Sequence, residues 1–489
     1  MSDPNVRRLD SYGAFEDGWG RREAIIGLDA LAERLARARA RGERLTLRGH
    51  GWSFHDQAQG DHVLDLTRVG AAPHIDGDTL RAGASTPLRG LLDVALGAGH
   101  TVPILASASS LTLAGAVATA SVARGSSVYG RTPAGVLAFT LLTPDGALRA
   151  VRRPGPEVPA EEAALFRAVV GGFGAIGVVV DVTLRGLRLP WVGSPRVETT
   201  ARALGAPADA IEPLLASLRA PAPDASGPWR GHTDPTITTP WAVTHEEGRA
   251  LAFTHRLVAP GTPLARFRLH DPPALLNQLS QWATSFDRTA ALLPPLLHRA
   301  IRARGRPFVD PIHDATFMMD GSASAQTSAR RLGVRMGVLQ QSYALPVGIG
   351  ADDAGPTARF LEATFRRLRD ARVSASVIDL LGVAADDSML SACGERPAIV
   401  VSVAFQHVGG ARAARAAKVL ARLSQDALDL GGRIHLVKHV LAEPELLDAM
   451  YGDALRAWTA VRHRYDPEQV LTSHLLDRLT AARAKTPTR

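Results

Sequence analysis

Short strands and amphipathic helices alternate along the first 190 residues, and several of these predicted elements end in glycine. In some segments apolar residues recur at helical spacing, and in others they form short extended runs. The pattern predicts helices over 28–42, 87–100 and 161–174 and strands over 43–49, 62–69, 79–84 and 175–187, with a hairpin over 136–151. Because the two kinds of element alternate, we expect an α+β domain over residues 1–190.

The rest of the chain is too long to share that core, because a single core rarely grows beyond about 250–300 residues. After Leu189-Pro190 the sequence becomes rich in proline. Further on, it predicts strands over 337–348, 374–384 and 398–406, with helices over 356–371 and 411–429. We therefore expect a second α+β domain over residues 191–430, followed by a C-terminal segment, 431–489, that starts as a strand and continues as helices.

Composition excludes several classes of protein. Hydrophobic residues make up 46% and charged residues 21%, which is typical of a globular protein and not of a disordered or coiled-coil chain. The single cysteine, Cys393, excludes a small disulfide-stapled module. The first residues lack the apolar core of a secretory signal, and no apolar run of about 18 residues occurs, so we expect a cytoplasmic protein.

The net charge of +8 is weak evidence for anionic partners. Three of the 56 basic residues are lysine, no block of five basic residues occurs, and no nucleic-acid-binding motif is present. The 16 histidines show no spacing typical of zinc ligands. We therefore expect neither nucleic acid nor a metal ion to bind.

The segment RGHGWSFHDQAQ, residues 48–59, follows a predicted strand and contains Gly49 and Gly51 two residues apart. Two such glycines let the backbone turn tightly and present consecutive N–H groups to an anion, and Ser53 adds a hydroxyl donor. A pyrophosphate would suit this loop, although a plain hairpin loop that binds no ligand could have the same sequence pattern. The spacing is not the G-x-G-x-x-G of a Rossmann site.

Two further segments consist largely of small residues. Residues 104–125 allow a flat ligand or another backbone to approach closely, and the same composition would serve close helix packing. Residues 171–184, GGFGAIGVVVDVTL, place glycines where they could border a nucleotide or form a simple helix-to-strand turn.

Taken together and in this order, the three segments resemble the FAD-binding domain of the vanillyl-alcohol-oxidase (PCMH-type) flavoprotein family. The resemblance implies that the first segment holds the FAD pyrophosphate, the second runs beside the isoalloxazine, and the third borders the adenosine half. The FAD-binding residues it implies are Arg48, Gly49, His50, Gly51, Trp52, Ser53, Asp56, Ser107, Ala108, Thr112, Ala114, Gly115, Ala116, Thr119, Val122, Gly174, Ile176, Gly177 and Val178.

The C-terminal run LGGRIHLVKHV and the later DPEQVLTS resemble the end of the decaprenylphosphoryl-β-D-ribose 2-oxidase family. The resemblance implies that Lys438 faces the flavin and that residues 431–489 return to the FAD-binding domain. Covalent members of the wider family carry histidine where this chain has Trp52, so we expect non-covalent FAD. Val122 replaces a histidine that the family has close to the flavin.

The same resemblance, thinner over residues 191–430, suggests an altered substrate pocket beneath an antiparallel cap sheet. Gln341 stands for the family's tyrosine, Asp379 for a lysine and Ser402 for the cysteine of an Asn-x-Cys pair. These three residues and Tyr343 are candidate substrate-binding residues.

Lys438 is the main catalytic candidate. In so arginine-rich a chain, a lysine between apolar residues suggests a need for a group that can lose its proton on burial. It would serve as the base for an alcohol proton or as a cation beside the flavin, although a surface lysine is the plain alternative. Strand alternation would put His435 on the opposite face, yet the family's residue at this position contacts the flavin, so His435 is a second base or a structural histidine.

We therefore expect oxidation of a secondary alcohol on a sugar-like substrate to a ketone, with hydride transfer to FAD and with oxygen or another electron acceptor. An alditol or aldonolactone oxidase that releases hydrogen peroxide is one alternative, and a redox-silent flavin-binding homologue is another. Residues 289–307 are apolar and then basic. They are interpreted as a packed cap helix, a mobile lid or a site of peripheral membrane contact.

Overall fold

The structure is a computed structural model that describes residues 6–13, 18–219, 233–247, 249–267, 279, 283, 287–333, 337–348, 355–406 and 410–484. Within them the expected α+β fold is confirmed, with two smaller sheets in the N-terminal part and a large sheet in the C-terminal part. A further two-stranded ribbon pairs His100–Thr101 with Leu187–Arg188.

The first sheet has four strands, in the spatial order Val6–Leu9, Gly18–Ile26, His62–Arg68 and Thr46–Arg48. The first two strands pair antiparallel, and the other pairs are parallel. The helix Leu28–Arg41 contributes buried Leu31, Leu35 and Ala38 to the core beside this sheet and ends on Gly42 in the left-handed conformation. This sheet places the end of the strand Thr46–Arg48 at the start of the glycine loop.

The second sheet has five antiparallel strands, in the order His74–Asp76, Thr79–Gly83, Val178–Arg185, Val136–Leu142 and Leu148–Arg152. The predicted hairpin over 136–151 is present, with Gly146 in the left-handed conformation at its turn. Val178–Arg185 lies at the centre, so the glycines that precede this strand are held close to the middle of the N-terminal part.

The large sheet has eight antiparallel strands. Their spatial order is Phe308–Pro311, Arg196–Leu204, Arg249–Val258, Thr239–Glu246, Val377–Val383, Ala398–Gln406, Val338–Pro346 and Arg433–Ile434. The last and shortest of these belongs to the predicted C-terminal segment.

Helices occur along the whole described part of the chain. Their bounds are Leu28–Arg41, Leu88–Gly97, Leu113–Ala118, Ser126–Tyr129, Ala160–Val169, Ile211–Arg219, Asp287–Arg304, Ile312–Thr316, Met319–Arg331, Gly355–Asp370, Gly410–Asp429, Pro444–Tyr465 and His474–Ala484, with 3₁₀ turns at Thr132–Gly135 and Pro207–Ala210. Among the described residues, no helix is long and apolar enough to cross a membrane.

The C-terminal helices contact the N-terminal part. The Trp458 indole N–H donates to the carbonyl of Ala168 over 3.1 Å, and the backbone N–H of Leu45 donates to the carbonyl of Val470 over 2.7 Å. Trp458 is also fully buried in a core that runs from the second sheet to the large one. The division at residues 190 and 430 stays a prediction.

Most of the segment 289–307 belongs to one helix. A single helix, Asp287–Arg304, runs through Pro294-Pro295 instead of breaking there. Leu292 and Leu296 on this helix are exposed, at 63% and 64%. Leu296, Ala300 and Arg304 also line the central cavity, so the helix forms part of the cavity wall. Membrane contact at this helix stays a prediction.

Candidate active site

A cavity of about 940 Å³ lies between the N-terminal part and the large sheet. This volume is near the upper end of the ~300–1,000 Å³ range of ligand pockets. Its wall is formed by the glycine loop, the small-residue segment, the glycines before Val178–Arg185, and one face of the large sheet. The three segments singled out in the sequence therefore meet at one cavity.

The glycine loop turns tightly where only glycine fits. Gly51 has φ +77°, and a Cβ there would collide with the Arg48 guanidinium. At Gly49 a Cβ would come within 2.6 Å of Thr112 Oγ1 in the small-residue segment. The Arg48 guanidinium donates to the backbone carbonyls of Asp10 and Ala58, and burial lowers its pKa to about 10, so it keeps its charge at neutral pH. The loop thus offers a fixed cation beside closely packed backbone.

Ser53 provides the test of whether this loop suits FAD. Its side-chain oxygen is buried and has no hydrogen-bond partner among the described residues, although the residue lines the cavity. Such an orphaned hydroxyl is costly unless a bound group satisfies it. A pyrophosphate oxygen would accept its hydrogen bond, so the residues present fit the phosphate end of FAD.

The small-residue segment and the second set of glycines form the opposite wall. Thr112 caps the short helix Leu113–Ala118 by accepting a hydrogen bond from the Gly115 backbone N–H over 3.2 Å. Gly174 has φ +75°, and a Cβ on Gly177 would lie 2.8 Å from Leu141 Cγ. The other predicted FAD-binding residues that line the cavity are His50, Trp52, Ser107, Ala108, Ala114, Thr119, Val122 and Val178.

Trp52 occupies the cavity wall where a histidine was expected in covalent relatives. Its indole N–H donates to Ser110 Oγ over 2.5 Å, and its ring stacks on Tyr12 with centroids 5.3 Å apart. An indole held in this way has no nucleophile to offer a flavin. His50, which is exposed at the edge of the loop, also contributes to the cavity wall.

The large sheet presents to the cavity a row of mainly polar residues, called the polar row below. The strand registers put Val243 opposite Asp379, Asp379 opposite Ser402, and Ser402 opposite Ser342. The Ser342 and Ser402 hydroxyls are 2.7 Å apart. The backbone N–H of His435 then donates to the Ser342 carbonyl over 2.7 Å, which continues the row to the edge of the sheet. All five residues line the cavity.

Lys438 lies in a turn after the strand Arg433–Ile434, not in a longer strand as expected. Its backbone N–H donates to the His435 carbonyl over 3.3 Å. Because the chain turns, the alternation rule that separated His435 from Lys438 fails, and both residues line the same cavity.

The turn is held from two sides. Gln57, from the glycine loop, donates to the carbonyls of Leu436 and Lys438 over 3.0 and 2.7 Å. The backbone N–H of His439 donates to the Gln340 carbonyl of the large sheet over 2.9 Å. Lys438 is therefore fixed between the two parts of the molecule that enclose the cavity.

Opposing influences act on the protonation of Lys438. Its Nζ lies 3.3 Å from the centroid of the Phe54 ring, a contact that favours the ammonium. Burial lowers the pKa of Lys438 to about 7, although the attraction of Asp379 works in the opposite direction. Burial likewise raises the pKa of Asp379 to about 6, against the attraction of Lys438 and Arg124. The lysine and the carboxylate therefore change charge close to neutral pH.

His435 has a different environment. Burial, with repulsion from Arg131 and Lys438, lowers its pKa to about 3, so its imidazole is neutral at physiological pH. A neutral imidazole beside the lysine can accept or donate a hydrogen bond but adds no charge. Its role as a second base stays a prediction.

Some predicted site residues lie elsewhere, and the reason is side-chain direction. Gln341 and Tyr343 were expected in the substrate pocket, but both point away from the cavity towards the helix Gly410–Asp429. The Tyr343 hydroxyl donates to the Leu420 carbonyl over 2.7 Å, and Gln341 donates to Ser424 Oγ over 2.8 Å. Successive strand residues face opposite sides, so their neighbours Gln340 and Ser342 face the cavity instead.

Three predicted FAD-binding residues are also outside the cavity wall. Asp56 is buried and forms an ion pair with Arg478 of the C-terminal helix, which binds the loop to that helix. Ala116 and Ile176 are fully buried in the hydrophobic core. Each supports a cavity-lining neighbour and does not itself reach the cavity.

The sequence reasoning missed Arg124, which lines the cavity at the end of the small-residue segment. Its guanidinium carbon lies 4.3 Å from the centroid of the Trp241 ring, and burial lowers its pKa to about 10. An arginine near the end of a run of small residues indicates a ligand-binding side chain, because a surface of small residues leaves room for a ligand beside it. Within the described part of the chain, no group of three or more metal-ligating side chains comes together.

Comparison with known proteins shows an FAD-linked oxidoreductase. Residues 28–152 match the family model of an FAD-binding domain, and residues 349–479 match that of D-arabinono-1,4-lactone oxidase. An uncharacterized protein in the mprA 5′ region of Streptomyces coelicolor is 28% identical over 408 residues, which cover 80% of this chain and 99% of that protein. The decaprenylphosphoryl-beta-D-ribose oxidase of Mycolicibacterium smegmatis is 28% identical over 179 residues, 34% of this chain and 38% of that protein.

Proposed function

We propose that this chain, an FAD-linked oxidoreductase with a PCMH-type FAD-binding domain, oxidises a secondary alcohol of a sugar-like substrate to a ketone. The observation that carries the proposal is Lys438, a half-buried lysine in the cavity wall whose pKa desolvation lowers to about 7. A lysine with this pKa is partly neutral at physiological pH and can accept a proton.

Bound FAD supplies the acceptor for the carbinol hydrogen and its electron pair. The chain's own residues accept the hydroxyl proton and hold the substrate in position. Lys438 Nζ takes the hydroxyl proton as the carbonyl forms, or, when protonated, it stabilises the negative charge that develops nearby. The turn that Gln57 and the large sheet hold in place keeps Nζ at a fixed point, which such a transfer needs.

The polar row gives the substrate its hydrogen-bond partners. Asp379 accepts hydrogen bonds from hydroxyl groups, and the hydroxyls of Ser402 and Ser342 donate and accept. Three polar side chains on adjacent strands suit a molecule with several hydroxyl groups in sequence, which is the pattern of a sugar. The activity named for the ribose oxidase relative makes a furanose a suitable first choice.

We propose that FAD binds non-covalently, because the indole of Trp52 offers no nucleophile at the wall. The arginine and the orphaned hydroxyl at the loop, Arg48 and Ser53, hold the phosphate end.

The test is an anaerobic screen of sugars, nucleosides and sugar phosphates for loss of the flavin's visible absorbance. We expect at least one compound with a secondary hydroxyl to bleach the flavin and to give a ketone product. If none of a broad panel reduces FAD in loaded, folded protein, the proposal is wrong.

An aldonolactone or alditol oxidase is the second candidate, and the match of residues 349–479 to the D-arabinono-1,4-lactone oxidase model favours it. Such an enzyme passes electrons to oxygen and releases hydrogen peroxide. A coupled peroxide assay over polyols and aldonolactones separates the two: peroxide formed at the rate of substrate oxidation supports this candidate.

A further inference from the structure

Arg124 is a cation for which the protein supplies only weak hydrogen-bond partners. Its guanidinium lies 3.3 Å from His255 Nε2 and 3.4 Å from the Ala315 carbonyl oxygen, and it also contacts the sulfur of Met318. Within the described residues, no carboxylate lies within ion-pair distance of it. Asp379 and Asp310 act on it only through longer-range attraction.

One of these acceptors, His255 Nε2, is already in use. The Trp241 indole N–H, which can only donate, points at the same His255 Nε2. That nitrogen must therefore be unprotonated, and His255 Nδ1 carries the proton it shares with Thr199 Oγ1, 2.7 Å away. An imidazole nitrogen has one lone pair, so Arg124 competes with Trp241 for it.

Two buried arginines elsewhere in the described part of the chain have carboxylate partners. Arg131 donates to Asp386 over 2.5 Å, and Arg34 forms ion pairs with Glu23 and Glu43. Arg124 is half-buried in the cavity wall. A partly desolvated guanidinium whose partners are a shared lone pair, a long carbonyl contact and a thioether is stabilised when an anion binds to it.

The charge of the cavity wall points the same way. Among the described residues that line it, five are lysine or arginine and one, Asp379, is acidic; the basic ones are Arg48, Arg124, Arg266, Arg304 and Lys438. Arg48 is assigned to the FAD phosphates and Lys438 to the alcohol. The basic side chains that line the cavity therefore outnumber the acidic ones, which favours an anionic ligand.

We propose that Arg124 binds an anionic group of the substrate, a carboxylate or a phosphate, so that the substrate is an acidic sugar derivative and not a neutral polyol. The inference rests on the proposed function, since it places this anion on the molecule whose alcohol is oxidised. Arg124 lines the cavity with its guanidinium carbon 4.3 Å from the centroid of the Trp241 ring, and a guanidinium can donate two parallel N–H groups to one oxyanion.

The first experiment measures anion binding without turnover. FAD-loaded protein is titrated with inorganic phosphate, with acetate and with neutral glycerol, by calorimetry and by the flavin difference spectrum. We expect saturable binding of one or both anions, and the stronger anion identifies the phosphate or carboxylate class. Absence of any saturable anion binding to the parent protein would overturn the inference.

The second experiment assigns that binding to Arg124. Arg124→Gln removes the charge and should weaken anion binding at least tenfold, whereas Arg124→Lys should retain part of it. Arg153→Gln is the matched control, because Arg153 is also half-buried, lies over an aromatic ring and donates to backbone carbonyls, but does not line the cavity. The control should bind the anion like the parent.

A purely structural Arg124 gives a different result. In that case Arg124→Gln would lower the melting temperature yet leave the anion affinity of the folded, FAD-loaded fraction unchanged, and the inference would be wrong. If Arg124→Gln does not fold, flavin reduction by the parent decides. Ribose 5-phosphate should then have a lower KM than ribose, or gluconate a lower KM than glucose, and equal KM values within both pairs would overturn the inference.

The outcomes separate this inference from the proposed function. Arg124-dependent anion binding without flavin reduction by any sugar would refute the function and leave the anion site. Flavin reduction by neutral sugars, with KM unchanged in Arg124→Gln, would refute the anion site and leave the function.

Discussion

Replacing Lys438 tests the catalytic assignment most directly. Lys438→Ala removes the only lysine among the described residues that line the cavity. The turn that carries it is held by Gln57 and Gln340 through backbone atoms, so the variant should keep its fold and its FAD. We expect flavin reduction by substrate to slow by about 10²-fold or more, the usual contribution of a positioned base. That is about 2.7 kcal/mol of transition-state stabilisation.

The rate of flavin reduction should rise with pH. The base acts in its neutral form, and the pKa of Lys438 is about 7. The rate of flavin reduction should therefore fall about tenfold for each pH unit below 7 and level off above it. Lys438→Ala should lose this rise, because no group with that pKa remains to be deprotonated at that position.

Lys438→Arg separates proton transfer from charge. A guanidinium keeps its proton at working pH, so arginine should not restore the rate if Lys438 is the base. Stopped-flow loss of flavin absorbance under anaerobic conditions measures all variants, and Lys418→Ala, at an exposed position of the helix Gly410–Asp429, is the control. Restored turnover in the arginine variant would make Lys438 a charge stabiliser, and parental rates in both variants would refute its catalytic role.

Four other predictions follow from the same contacts. Acid precipitation should release the flavin into solution, because Trp52 cannot bond to it; colour that stays with the precipitate would contradict this. Gly51→Val should abolish FAD binding in folded protein, as judged by absorbance and circular dichroism, since a branched side chain would occupy a left-handed position against Arg48. Asp379→Asn should move the rise of the rate to lower pH, because the carboxylate raises the pKa of Lys438. Tyr343→Phe should cost about 1 kcal/mol of stability without changing KM, since its hydroxyl contacts only the core.

The parts of the site that depend on backbone geometry could be predicted from the sequence. Glycine is required at 49, 51, 174 and 177, because a neighbouring atom lies too close for a Cβ or because the backbone is left-handed. These glycines are visible in the sequence. The three segments that carry them come together at the cavity. Composition indicated close approach at each segment, because what these positions need is the absence of a side chain. The resemblance to the flavoprotein family implied that all three border one ligand.

The parts that depend on side-chain direction could not be predicted as well. Assigning Gln341 and Tyr343 to the pocket in place of Gln340 and Ser342 is an error of one residue in strand parity, and such an error reverses every side chain. Both faces of that strand are buried, so its sequence has no apolar–polar alternation to fix the parity. The turn at Lys438 depends on hydrogen bonds from Gln57, nearly 400 residues away in sequence, which no local pattern records.

The cavity divides its basic side chains by chemistry. Burial lowers the pKa of both kinds of group, but it brings the Lys438 ammonium to about 7 and the Arg124 guanidinium only to about 10. At neutral pH the lysine can exchange a proton while the arginine remains a fixed charge. On the proposed function, one of the three lysines among 56 basic residues lies where a proton must be exchanged. Arginine lies where a permanent charge would bind an anion, so the choice of residue would follow from the protonation state that each position requires.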